Sequence, residues 1–201
     1  VQVVGVTGKQ PMGIALDDEG NVYTSNFGDS TVTKITPEGV SSVLGTTGRT
    51  PIGIRADAAG NVYTSNYLDS TVTKITPAGV SSVLARTGTH PLGIILDRAG
   101  NVFTANEGSN SITKITPEGV ATTLGTTGAW PQAIAMDADG NLYTANWNSS
   151  NVSKVTPAGK STILGVTGKR PIGITVDAAG NVYTTNNGAN NVSRITPKGA
   201  S

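Results

Sequence analysis

The sequence predicts an all-β fold: a five-bladed β-propeller of four-stranded antiparallel blades, closed by the N-terminal strand pairing into the last blade. Three observations carry that expectation. A unit of forty residues begins at Pro11, Pro51, Pro91, Pro131 and Pro171 and recurs without a gap, reading P-x-G-I-x-x-D-x-x-G-N-V-Y-T-x-N and then T-K-I-T-P-x-G. Each unit holds four short apolar-alternating runs separated by turn signals, too short for helices and rich in Val, Ile, Thr and Tyr. The two chain ends complete one another, since Val3-Val4-Gly5 lines up with Val43-Leu44-Gly45 and Thr7-Gly8 with Thr47-Gly48.

In the first unit the four strands, A to D, are expected at Met12 to Asp17, Asn21 to Asn26, Thr31 to Thr36 and Val40 to Gly45. The A-to-B connection ends in Gly20-Asn21 and the C-to-D connection is Thr36-Pro37-Glu38-Gly39, with glycine supplying the positive φ of a tight hairpin. Neighbouring strands are therefore antiparallel, and four-stranded sheets at this period stack radially as blades. The blades fall at residues 11–50, 51–90, 91–130 and 131–170, with the fifth at 171–201 completed by 1–10. Val1 to Gly5 is expected as its outer strand, which otherwise leaves an unpaired edge. One domain accounts for all 201 residues.

The repeated P-x-G-I-x-x-D-x-x-G-N-V-Y resembles the NHL-repeat β-propeller family, with only Ala133 replacing the Gly, Leu142 the Val and Phe103 the Tyr. The resemblance covers essentially the whole chain and implies a fold more than a function. WD40 propellers fit less well, because no Gly-His or Trp-Asp pair occurs. The NHL pattern implies Asp at the end of strand B and Arg before strand C. Here stand Asn26, Asn66, Asn106, Asn146 and Asn186 with Thr31, Thr71, Ser111, Asn151 and Asn191. Both charges vanish together, as expected if the two positions face each other, because an orphaned partner of a partly buried pair costs about 3–5 kcal/mol.

Streptogramin-type lyases have similar repeats, and that resemblance implies a His after the strand A Pro and a Glu ending strand B. Those positions hold Met12, Ile52, Leu92, Gln132 or Ile172, and Asn in every blade. A protein that is not an enzyme is therefore expected, with no catalytic residue, no metal site and no cofactor. The repeated Asp17, Asp57, Asp97, Asp137 and Asp177 are read as turn residues accepting backbone N–H groups, with a cation-binding ring as the alternative. One His and no Cys do not make a conventional zinc site.

A net charge of +1, with Lys and Arg spread around the ring, argues against nucleic acid. Lys34, Lys74, Lys114, Lys154 and Arg194 share one strand C position and are expected on the outer rim. No apolar run reaches membrane length, and no signal peptide or lipidation motif is visible, so no membrane partner is expected. The chain opens with Val rather than Met, as expected of a processed or excised product. Family habit points to a secreted or extracytoplasmic bacterial protein. A surface rich in Ser, Thr and Asn suits secretion, and a monomer is expected.

Comparing the five copies with one another locates the function. The A-to-B and C-to-D turns on the bottom face barely vary, whereas the B-to-C and D-to-A loops on the top diverge. Apart from the repeated strand B ring, the remaining aromatics, Phe27, Tyr67, Trp130 and Trp147, all lie in top-face loops, as does His90. Loops on a rigid scaffold are where binding concentrates, and Trp and Tyr are the usual anchors. Gln132 and Arg170 flank the two indoles in sequence, Glu107 shares blade three with His90, and Arg55 is the lone charge at its strand A position. These nine residues are the expected binding set, for a carbohydrate, peptide or protein. The alternatives are an inert scaffold, given how alike units one and two are, and a lyase or hydrolase using His90 and Glu107.

Overall fold

The computed structural model describes residues 2–199, which form nineteen strands in five antiparallel sheets. Blade one comprises β1 (Pro11–Leu16), β2 (Val22–Asn26), β3 (Thr31–Ile35) and β4 (Ser41–Thr46). Blade two comprises β5 (Pro51–Ala56), β6 (Val62–Asn66), β7 (Thr71–Ile75) and β8 (Ser81–Arg86). Blade three comprises β9 (Pro91–Leu96), β10 (Val102–Asn106), β11 (Ser111–Ile115) and β12 (Ala121–Thr126). Blade four comprises β13 (Pro131–Met136), β14 (Leu142–Asn146), β15 (Asn151–Val155) and β16 (Ser161–Val166). Blade five has three strands, β17 (Pro171–Val176), β18 (Val182–Asn186) and β19 (Asn191–Ile195). The all-β, five-bladed propeller is as the sequence predicts.

The repeated aspartates organise the bottom turns. Asp57 accepts the N–H groups of Ala59 and Asn61, the Asn61 amide and the Tyr63 hydroxyl at 2.9–3.2 Å, while Gly60 turns the chain with φ at +76°. Burial pulls the Asp57 carboxyl upward, but the bonds from Asn61, Tyr63 and Ala59 outweigh it and hold the group below its ordinary value. The same balance lowers Asp17 and Asp137, and hydrogen bonds lower Asp177.

A buried polar belt crosses the top of every blade. The Asn66 amide donates to Thr71 Oγ1 at 3.0 Å and Thr73 Oγ1 at 2.8 Å, and its oxygen accepts from Thr64 Oγ1 at 3.0 Å. Asn26, Asn106, Asn146 and Asn186 repeat the arrangement with Thr, Ser or Asn partners. The two positions that lost their charges together do face each other, as in the Asn66↔Thr71 register pair.

Apolar packing runs between blades. Tyr23 and Val32 of blade one pack on Ile54, Val62 and Ile75 of blade two, and Tyr63 and Val72 repeat this on Ile94, Val102 and Ile115. The lysines of the shared strand C position extend over the strand B rings, with Lys74 Nζ 5.7 Å from the Tyr63 centroid.

The ring closure expected from the sequence needs correction. Among the described residues, β19 pairs only with β18, and no strand pairing joins residues 2–6 to blade five; Val1 lies outside the described residues. Residues 2–9 are seated on blade one instead. Val6 N–H donates to Ser41 Oγ at 3.0 Å and Gly8 N–H to Thr33 Oγ1 at 3.1 Å, matching Thr126 to Ser161 at 3.0 Å and Gly48 to Thr73 at 3.2 Å. The segment thus occupies the place of an outer strand in front of blade one. At the two ends of the arc, core positions are bare. Ile14 is 67% exposed where Ile54 and Ile94 are at 1–2%, and Val192 is 65% exposed where Val32, Val72, Ile112 and Val152 are fully buried.

Two outcomes are expected. Asn66→Ala leaves buried hydroxyls short of a partner and lowers unfolding free energy by about 2–4 kcal/mol in urea titrations. Because the folded aspartate values are depressed, their stabilisation is present above the unfolded value of about 3.9 and is lost as pH falls through the folded values. The urea midpoint should therefore hold at mildly acidic pH and fall below about pH 4.

Candidate functional site

The B-to-C and D-to-A loops meet on one face, joined by backbone bonds in each blade. Phe27 N–H donates to Gln10 O, Tyr67 to Thr50 O, Glu107 to His90 O, Trp147 to Trp130 O and Asn187 to Arg170 O, all at 2.9–3.0 Å. The residue before each strand A proline adopts left-handed backbone, with φ of +52° to +60° at Gln10, Thr50, His90, Trp130 and Arg170. Non-glycine residues there carry strain of about 1–3 kcal/mol, which the zipped loops hold in place.

Above blades one to four these loops and the strand tops enclose an open recess of about 360 Å³. Phe27, Ile52, Leu68 and Leu92 line it with apolar surface, and Thr50, Tyr67, Glu107 and Gln132 add polar groups. Glu107 is the one charge in that lining. Its Oε2 accepts the Tyr67 hydroxyl at 2.7 Å and its Oε1 accepts the Gln132 amide at 3.2 Å, so three blades converge on one carboxylate. The hydrogen bond to Glu107, burial and the Glu107 charge push the Tyr67 phenol up to about 12, so it remains a protonated donor at neutral pH.

His90 stacks on Tyr67, with ring centroids 4.4 Å apart and planes at 13°. The side-chain partner of Glu107 on this side is thus Tyr67, with the imidazole packed on that phenol. Trp130 and Trp147 form a second feature, stacked at 5.3 Å, with the Arg170 guanidinium 4.7 Å from the Trp147 centroid. Trp130 remains 45% exposed. Arg55 stands apart from both, exposed near the bottom end of β5, where its Nη1 donates to Ile54 O at 2.8 Å.

The expected binding residues therefore fall into a recess group of Phe27, Tyr67, Glu107 and Gln132 with His90 behind Tyr67, an indole–guanidinium stack, and an isolated Arg55. Thr50, Ile52, Leu68 and Leu92 were not in the expected set. The signal for Ile52 and Leu92 was available, since they share a repeat position with Gln132 and neighbouring blades present it side by side.

The structure is similar to virginiamycin B lyase from Staphylococcus aureus, with a TM-score of 0.80, 20% identity, and coverage of 94% of this chain and 67% of that one. A nidogen/laminin complex matches with a TM-score of 0.78, 19% identity and coverage of 96% and 78%. A gluconolactonase from Xanthomonas campestris matches with a TM-score of 0.73, 16% identity and coverage of 96% and 74%. At these identities the likeness is one of fold. No curated protein sequence matches the chain significantly.

The model of the virginiamycin B lyase family matches residues 2–201. This overturns the expectation that the protein is not an enzyme, because the family is one of lyases. The expectation rested on the absence of His and Glu at two strand positions. In blade three His90 lies two residues before the first of these positions and Glu107 one residue after the second, in the loops before β9 and after β10. With essentially its whole length matched, the chain belongs to the virginiamycin B lyase family.

Proposed function

We propose that the recess around Glu107 binds a small, partly apolar ligand and that Glu107 acts on it as the base of a lyase-type elimination. The observation that carries this reading is a single carboxylate, held by Tyr67 and Gln132, at the wall of a recess whose other lining groups are apolar or uncharged. Ile52, Leu92 and Phe27 offer a ring or aliphatic group a dry contact, while Glu107 receives a donor or cation. Such a division of labour fixes orientation with few polar groups.

Elimination requires a base at the C–H bond that is lost. Glu107 takes that proton, the C–H electron pair becomes the new C=C bond, and the leaving group departs with its own bonding pair. Tyr67 and Gln132 hold the carboxylate in one orientation, and His90 fixes the Tyr67 ring by stacking. Family membership supports the elimination; the recess by itself supports binding.

Quinupristin is a suitable first probe, since it accompanies a catalytically inactive histidine-to-alanine variant of virginiamycin B lyase in one similar structure. Calorimetric titration should give saturable binding that Glu107→Gln weakens about 10- to 100-fold, the size of a hydrogen bond to a charged group. Mass spectrometry and ultraviolet absorption should detect a product with a new C=C bond, absent with Glu107→Gln. Binding without turnover removes the elimination and keeps the binding site. A folded protein that binds none of a panel of cyclic peptides, glycans and short peptides overturns both.

A further inference from the structure

The two ends of the arc fit one another. In front of blade one, residues 2–9 already hold the outer-strand place, and Gly5 sits against Ile35 and Ser41 as Gly45 sits against Ile75 and Ser81. Ile35 is accordingly buried, while Ile14 and Leu16 on the inner strand are 67% and 66% exposed. The uncovered part of blade one is therefore the footprint of three strands, A to C, of a preceding blade. Blade five is a sheet of three such strands whose outer edge, β19, is unpaired among the described residues, and whose face bears the exposed Val192. The same two faces, with the same residue types, dock on each other at each blade-to-blade junction inside the chain.

Blade five of the same chain does not reach this place. Among the described residues no strand pairing joins residues 2–6 to β19, and Ile14, Leu16 and Val192 all stay exposed. We propose that a second copy of this chain supplies the fit: the Val192 face of one copy docks on the Ile14 face of the next, and residues 2–6 of the receiving copy pair with β19 of the docking copy. The contact is heterologous, so copies join head to tail until the faces are used up or the ring closes.

Size-exclusion chromatography with light scattering tests this on the chain as it stands. The expected mass is at least twice the 20.3 kDa of one chain. Ile14→Asp and Val192→Asp each remove one face, and each alone should elute as a monomer with an unchanged circular dichroism spectrum. Mixed, they retain one intact pair of faces between them, so the mixture should return to twice the monomer mass, a result that misfolded variants cannot give. A monomeric parent chain overturns the proposal, as does an oligomer that survives both substitutions or a mixture that stays monomeric.

Discussion

Blade-on-blade burial is the constraint on which this molecule rests. A four-stranded sheet of this size has two apolar faces and no helix to cover either, so each blade is stable only between neighbours. Tyr63 and Val72 look forward to Ile94 and Val102, while Ile54, Val62 and Ile75 look back to Tyr23 and Val32. Each fully buried aliphatic contributes about 1.5–3 kcal/mol, so the stack gains more from its junctions than from any single hairpin. The aspartate turns and the asparagine belt then fix register and angle within each blade, leaving the junctions to set the curvature.

That division explains how a recess of particular chemistry arises from a nearly uniform repeat. Side chains at one repeat position, Ile52, Leu92 and Gln132, are brought side by side by rotation from blade to blade. Glu107 occurs in one copy only, yet it meets a phenol from the blade before and an amide from the blade after. The site is a property of the junctions, and a change in blade angle would dismantle it without altering any blade.

The fold was legible because its causes are local. Forty-residue spacing, Gly-Asn after Asp, and Pro-x-Gly each specify a turn or strand by short-range chemistry, and the joint loss of Asp and Arg correctly placed Asn26 opposite Thr31. Closure was not legible, because Ile14 and Val192 have the residue types of buried positions whether or not a neighbour arrives. The Tyr67–Glu107 contact was also hidden, since forty residues separate the partners and only the junction angle brings them together. The expected motif falls at positions 92 and 106 of blade three, which hold Leu92 and Asn106, whereas His90 and Glu107, read from the sequence as an alternative pair, stand in the adjoining loops.

The loop zipper has a consequence for how such a surface changes over time. Its rungs are main-chain bonds, Tyr67 to Thr50 or Trp147 to Trp130, and the left-handed corners beneath them already hold Gln, Thr, His, Trp and Arg. Nothing in that fastening consults the side chain. Specificity and architecture are thereby written in separate alphabets, so a lineage can exchange the letters of one while the spelling of the other stays intact.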